Sequence, residues 1–143
     1  KSHRPAVRKV EQLWESVGGR LLKLTPEAHD ALVSRSSHLP HVVAATLAAT
    51  VLDPKNPKDI ATLCATGFRD TTRIASGSPE MWRDIALTNR KHLGRALAGF
   101  ISELGKFQAA LKRGDAKAIA KFFETAKHRR DNWCACCVSP SPE

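Results

Sequence analysis

Apolar residues recur at helical spacing along most of this chain, and the polar breaks between them mark where one element gives way to the next. Val7, Val10, Leu13, Trp14 and Val17 fall three or four residues apart, which predicts one apolar face of a helix. Gly18-Gly19 ends that helix, and Arg20-Leu21-Leu22-Lys23-Leu24 reads as a short strand. From Thr25 onward the pattern is helical throughout. Thr25-Pro26-Glu27-Ala28 places a capping hydroxyl before a proline at the first helical position. Pro40 precedes Val42 to Leu52, an apolar, alanine-rich run expected to form a deeply buried helix. Asp53-Pro54-Lys55-Asn56-Pro57 is a turn, Asp59 to Ala65 a short helix broken at Gly67, and Asp70 to Ala75 helical again. Ser76-Gly77-Ser78-Pro79 ends that element and caps the next.

The longest helix is expected from Pro79 to about Arg113. Its second half carries Leu93, Leu97, Phe100, Leu104, Phe107 and Leu111, alternately four and three residues apart. Such a stripe marks a helix packed lengthwise against another helix. Gly114-Asp115 makes a turn, and a final helix with Ile119, Phe122, Phe123, Ala126 and Trp133 on one side can fold back. The stripe can be covered within one subunit or across a dimer, and the pattern alone does not separate the two.

A chain of 143 residues is long enough for one core, and 42% hydrophobic with 26% charged residues reads as globular rather than disordered. No apolar run approaches the ~20 residues a membrane-spanning helix needs. The net charge of +9 favours anionic partners. Its basic residues are dispersed, however, which points to a solvated basic surface and to no nucleic-acid or membrane partner. Cys134-Ala135-Cys136-Cys137 lacks a second ligand pair at zinc-site spacing and, with six residues following Cys137, is no prenylation box. It reads as a reduced tail of a cytoplasmic protein, with no metal site expected.

Several residues can carry chemistry. Arg73 lies in a segment whose Ile74 and Ala75 should be packed, near Gly67, which would let a ligand approach. A guanidinium so held suits bidentate carboxylate binding; the alternative is an ion pair with Asp70 three residues earlier. His38 and His41 flank Pro40. At the opening of the Val42 helix, the positive end of the helix dipole disfavours an imidazolium at His41 and attracts anions. A neutral His41 donating to an anionic substrate fits that place, whereas His38 reads as a buried histidine satisfied by backbone. His29-Asp30 can orient pocket groups or form an exposed helix pair. Trp82, in the first turn after Pro79, can floor a ring-binding pocket or belong to the core. Trp14 and Trp133 read as core or interface.

Two segments carry a resemblance when taken together: Ser37-His38-Leu39-Pro40-His41, and Gly67-Phe68-Arg69-Asp70-Thr71-Thr72-Arg73-Ile74-Ala75 followed by Pro79-Glu80-Met81-Trp82-Arg83-Asp84. They resemble the C-terminal helical domain of prephenate dehydrogenases, including relatives that accept arogenate. The resemblance runs from about Ala6 to Trp133. It departs at Thr66, where relatives often carry another glycine, and in the cysteine tail. It implies a mainly α fold, a helical dimerisation domain, and a homodimer. It further implies that Arg73 binds a substrate carboxylate and that His41 reaches the substrate, with Asp70, Gly67, Trp82 and His29 also in the substrate site. In that family an N-terminal dinucleotide-binding domain holds NAD or NADP and supplies the proton-accepting histidine. Hydride transfer and loss of carbon dioxide then turn prephenate into 4-hydroxyphenylpyruvate, a step of tyrosine biosynthesis.

No Gly-x-Gly-x-x-Gly fingerprint follows a strand in this sequence. The expected organisation is therefore residues 1–24 as the trailing helix and strand of a truncated dinucleotide-binding domain. Residues 25–138 would form the all-helical substrate and dimer domain, and 139–143 a disordered tail. The catalytic residues belong to the absent part, so this piece alone should bind no cofactor and be inactive. Two other readings compete: a basic helical nucleic-acid-binding module, and a purely structural dimerisation module supported by the Leu93-to-Leu111 stripe.

Overall fold

A computed structural model of the chain describes residues 3–138, with side chains through residue 135. The tail assigned to 139–143 and the side chains of Cys136 and Cys137 lie outside the described residues. Among the described residues every regular element is helical: α1 (Arg4–Ser16), α2 (Pro26–Val33), α3 (Leu39–Val51), α4 (Thr66–Thr72), α5 (Pro79–Thr88), α6 (Arg90–Arg113) and α7 (Ala116–Val138). A π turn, Ser34–His38, joins α2 to α3, and short 3₁₀ turns cover Lys58–Ile60 and Arg73–Ser76. The chain divides into two compact units, one ending at His92 and one beginning at Leu93.

In the first unit, local chemistry sets most boundaries. Gly18, at φ +78°, ends α1, and the Gly19 N–H donates to the Trp14 carbonyl at 2.7 Å, closing the orphan carbonyls of the last turn. The apolar side of α1, including Leu13 and Trp14, stays exposed. Residues 20–24 form no strand, a correction to the expected one. A strand is defined by ladder bonds to a neighbour, and no second strand exists among the described residues to supply them. Lys23 instead returns to α1 through an ion pair with Glu11 at 2.7 Å. Thr25 caps α2 as expected, its hydroxyl accepting the Ala28 N–H at 3.2 Å.

The run from Pro26 to Val51 is continuous, because the π turn carries the backbone past Pro40 without a break. A proline inside a helix removes one N–H and drives its ring toward the carbonyl four residues back. The wider π turn absorbs both: the Leu39 N–H donates five residues back, to the Ser34 carbonyl. Residues Val42 to Leu52 are less enclosed than expected. Ala44 is 2% exposed, but Val42, Leu47 and Val51 are only half-buried, and Thr46 and Ala49 face solvent. Helix α3 packs against α4 and the Arg73–Ser76 turn, too few neighbours to cover its circumference. Its C-terminus is closed by Asn56, whose Nδ2 donates to the Thr50 and Val51 carbonyls at 2.8 and 3.1 Å. The helix expected over Asp59 to Ala65 is reduced to the single 3₁₀ turn Lys58–Ile60.

Ser78 caps α5 by accepting the Met81 N–H at 3.3 Å and donating to Glu80 at 2.9 Å. The single long helix expected from Pro79 is interrupted at Asn89, which leaves helical geometry at φ −106° and ψ 28°. The reason is tertiary: the Asn89 side chain is engaged elsewhere, as described below.

In the second unit, Gly114 at φ +63° turns the chain between α6 and α7. The Asp115 N–H bonds back to Ala110 at 3.0 Å, and the Asp115 carboxylate caps α7 through the Ala118 N–H at 3.0 Å. Phe107 meets Phe122 and Phe123 with ring centroids 4.7 and 5.7 Å apart. This fold-back covers only part of the stripe. Leu104 and Leu111 remain exposed, as does Phe123 at 58%.

Candidate functional site

The expected chemistry collects in the first unit, where α5 lies beside the π turn and the start of α3. The ring of His41 stacks on the indole of Trp82, with centroids 3.7 Å and planes 27° apart. His38 meets the same indole edge-on, at 6.2 Å and 78°. The Nε1–Cδ1 edge of the Trp82 indole leans on Gly77: a Cβ there would lie 2.5 Å from the indole Nε1 and 2.9 Å from Cδ1. Gly77 is thus required by the packing of the indole. Nothing lies within 4 Å of a Cβ built at Gly67, so that glycine answers no internal packing need.

The hydrogen bonds of the two histidines fix their protons. The His41 Nδ1 lies 2.9 Å from the Ser37 carbonyl. A carbonyl only accepts, so Nδ1 carries the proton, and the Nε2 of a neutral His41 is an acceptor. This alters the expectation that a neutral His41 donates to an anion; only its imidazolium donates from Nε2. The continuous run also removes the free helix N-terminus invoked there, since the Leu39 N–H is already bonded.

His38 holds the opposite tautomer. Its Nδ1 lies 3.3 Å from the amide Nδ2 of Asn89, and that amide also donates to the Asp30 carbonyl at 2.8 Å. An amide nitrogen only donates, so His38 Nδ1 accepts and the neutral ring carries its proton on Nε2. Burial pushes the His38 pKa below 6.5, a shift opposed by nearby Asp30 and reinforced by His29 and His41. The partner of His38 is therefore a side chain rather than backbone. Asn89 is 6% exposed, and its Oδ1 is buried without a hydrogen-bond partner among the described residues.

His29, His38 and Asn89 line an open cavity of about 410 Å³ with Asp30, Met81 and Asp84. His29 itself is exposed and pairs with its neighbour Asp30 at 3.1 Å. Arg73 is exposed and opens the 3₁₀ turn that packs on α3, the helix carrying His41. Its ion-pair alternative is not taken up: the Asp70 carboxylate lies 3.8 Å from Arg69, and no ion pair involves Arg73 among the described residues. No cluster of three metal-ligating side chains occurs among them either.

The family described as prephenate dehydrogenase, dimerization domain, matches residues 25–125. The chain belongs to this family. It is 36% identical over 132 residues to the prephenate dehydrogenase of Bacillus subtilis, covering 92% of this chain and 36% of that protein. It is 34% identical over 133 residues to the cyclohexadienyl dehydrogenase of Zymomonas mobilis, covering 90% and 45%. Among solved structures, prephenate dehydrogenase from A. aeolicus in complex with hydroxyphenyl propionate and NAD+ superimposes with a TM-score of 0.82 at 33% identity. That match covers 92% of this chain and 46% of the other. The chain thus spans between a third and a half of these relatives' length.

Within this prephenate dehydrogenase domain the fold brings His41 against Trp82, and His29 into one cavity with His38. Arg73 joins the group only through the packing of its turn on α3. Gly67 and Asp70 are exposed positions of α4, and no hydrogen bond or ion pair joins either to these rings among the described residues. Asn89 is the residue that sequence reasoning missed. An asparagine within a long amphipathic pattern looks like surface, and its partners lie 59 and 51 residues away.

Proposed function

We propose that this chain is the substrate-contacting and dimer-forming helical part of an NAD(P)-dependent prephenate or arogenate dehydrogenase. The reaction is oxidative decarboxylation: hydride passes from the ring carbon bearing the hydroxyl to the nicotinamide, the hydroxyl proton leaves to a base, and carbon dioxide departs. For prephenate the product is 4-hydroxyphenylpyruvate. NAD or NADP supplies the hydride acceptor from a dinucleotide-binding domain, which is where the base belongs.

The observation that carries this reading is the stack of His41 on Trp82, on the helix that packs against the turn opened by Arg73. A flat ring with a carboxylate arm is what such a set recognises. The A. aeolicus relative was crystallised with a ligand of that chemistry. Arg73, which forms no ion pair among the described residues, takes the carboxylate in a bidentate, charge-assisted contact. His41 offers Nε2, an acceptor for a hydroxyl when neutral and a donor to a carboxylate when protonated. Trp82 holds the His41 ring in place and limits water on its stacked face. Gly67 leaves room for the ligand to approach Arg73, and His29 and Asp70 tune the charge around it.

Assay of the full-length enzyme with prephenate and with arogenate, each with NAD and NADP, tests this reading. Reduced nicotinamide and carbon dioxide should form in equal amounts with at least one pairing. Absence of turnover in all four would refute it.

A further inference from the structure

We propose that Asn89 is a positioning residue of this site, holding His38 as a neutral Nε2–H donor while His41, stacked on the Trp82 ring, keeps its proton on Nδ1. Two histidines three residues apart would then present opposite polarities to a ligand: a fixed donor at His38 Nε2, and an acceptor at His41 Nε2 until that ring is protonated. The relevance of the pair to catalysis rests on the substrate-site reading above; the tautomers rest on hydrogen bonding alone.

Three observations support the assignment. First, Asn89 Nδ2 spends its two hydrogens on His38 Nδ1 and on the Asp30 carbonyl. The Asp30 carbonyl can only accept, so the atom that faces it is the amide nitrogen, and the His38 Nδ1 beside the same nitrogen must then accept. Second, Asn89 is almost wholly buried and interrupts the helical path between α5 and α6. A residue needed only for helix continuity would not leave helical geometry to reach across to α2. Third, the Nδ1 of His38 is thereby occupied, so any bond from His38 to an occupant of the cavity must be donated by Nε2. That restricts the occupant's matching group to an acceptor: a carboxylate, carbonyl or hydroxyl oxygen. The charged and titratable groups around His38 are His29 and Asp30 on α2, His41 on α3 and Asp84 on α5. Asp30 favours the imidazolium; desolvation and the two other histidines oppose it.

The test is long-range ¹H–¹⁵N correlation of the histidine rings on this chain above pH 7. The expected result is the Nε2–H tautomer at His38 and Nδ1–H at His41. An Nδ1–H tautomer at His38 overturns the proposal without bearing on the substrate or the reaction. Asn89→Asp then probes the cause. A carboxylate cannot donate to Nδ1, so His38 should move its neutral proton to Nδ1 and titrate at a higher pH. An unchanged tautomer and titration in a folded Asn89→Asp protein would overturn the role of Asn89. If that variant does not fold, the side-chain amide of Asn89 in the unaltered chain decides: a hydrogen-bond coupling from its Nδ2–H to His38 Nδ1 supports the role of Asn89, and its absence overturns it. In the full-length enzyme, Asn89→Asp should shift the pH profile of kcat/KM as well as lower it. Loss of activity with an unshifted profile counts against positioning and for a structural role alone.

Discussion

The imidazole of His41 lies face to face with the indole of Trp82, 3.7 Å between centroids, and the Nε1–Cδ1 edge of that indole leaves no room for a side chain at residue 77. Trp82 is therefore fixed from two sides, by a ring of α3 and by the backbone before α5. Gly77→Ala should push the indole away from Gly77, at a cost of about 1–3 kcal/mol for overpacking. Gly67→Ala, where a Cβ meets nothing within 4 Å, should change stability by less than about 1 kcal/mol, because only helix propensity is altered. Urea unfolding of the two variants checks the contrast, with tryptophan fluorescence altered in the first alone.

Removing the ring itself should cost more than removing its support. Trp82 is half-buried, so Trp82→Ala should destabilise by about 2–3 kcal/mol, below the ~3–5 kcal/mol typical of a fully buried aromatic. Trp82→Phe keeps a stacking face and should recover roughly half of that loss. Thermal unfolding of both variants measures the difference.

Stability should also depend on pH through His38. Its folded pKa lies below the ordinary 6.5, so over the window beneath 6.5 the unfolded chain binds more protons than the folded one. Folding stability is then complete above that window and declines as the pH falls through it. Denaturation midpoints between pH 8 and pH 5 give the trend, and His38→Gln should flatten it.

The exposed apolar residues of the second unit lead to a prediction about assembly. Leu104, Leu111 and Phe123 stay exposed after α7 folds back on α6, and the family match is to a dimerization domain. Two-fold pairing is the commonest way to cover such a face. Sedimentation should find a dimer at micromolar concentration, and Leu104→Lys with Phe107→Lys should abolish it, giving aggregated or unfolded chain.

Elements with local causes were legible in the sequence. Thr25, Ser78 and Gly114 cap or end helices through bonds to residues at most four away, so their meaning survives without tertiary context. The Leu93-to-Leu111 stripe was legible for the same reason, being a periodicity within one helix. What was not legible depends on distant partners. The strand expected at residues 20–24 needed a neighbouring strand. The break at Asn89 is made by bonds to Asp30 and His38, 59 and 51 residues back. The π turn follows from the need to pass Pro40 inside a continuous run, where a proline more often signals a fresh start. In the site, residue types were readable at His41, Trp82 and Arg73, while the proton positions that decide donor from acceptor emerged only from the bonds to Ser37 and Asn89.

The central claim is that Arg73 anchors a substrate carboxylate beside the His41–Trp82 stack, and steady-state kinetics of Arg73→Ala in the full-length enzyme test it most directly. A charge-assisted hydrogen bond contributes about 1.5–3 kcal/mol. The KM for prephenate or arogenate should therefore rise roughly 10- to 100-fold, with the KM for the nicotinamide cofactor unchanged. An unaltered substrate KM, or an equal rise for substrate and cofactor, would contradict it.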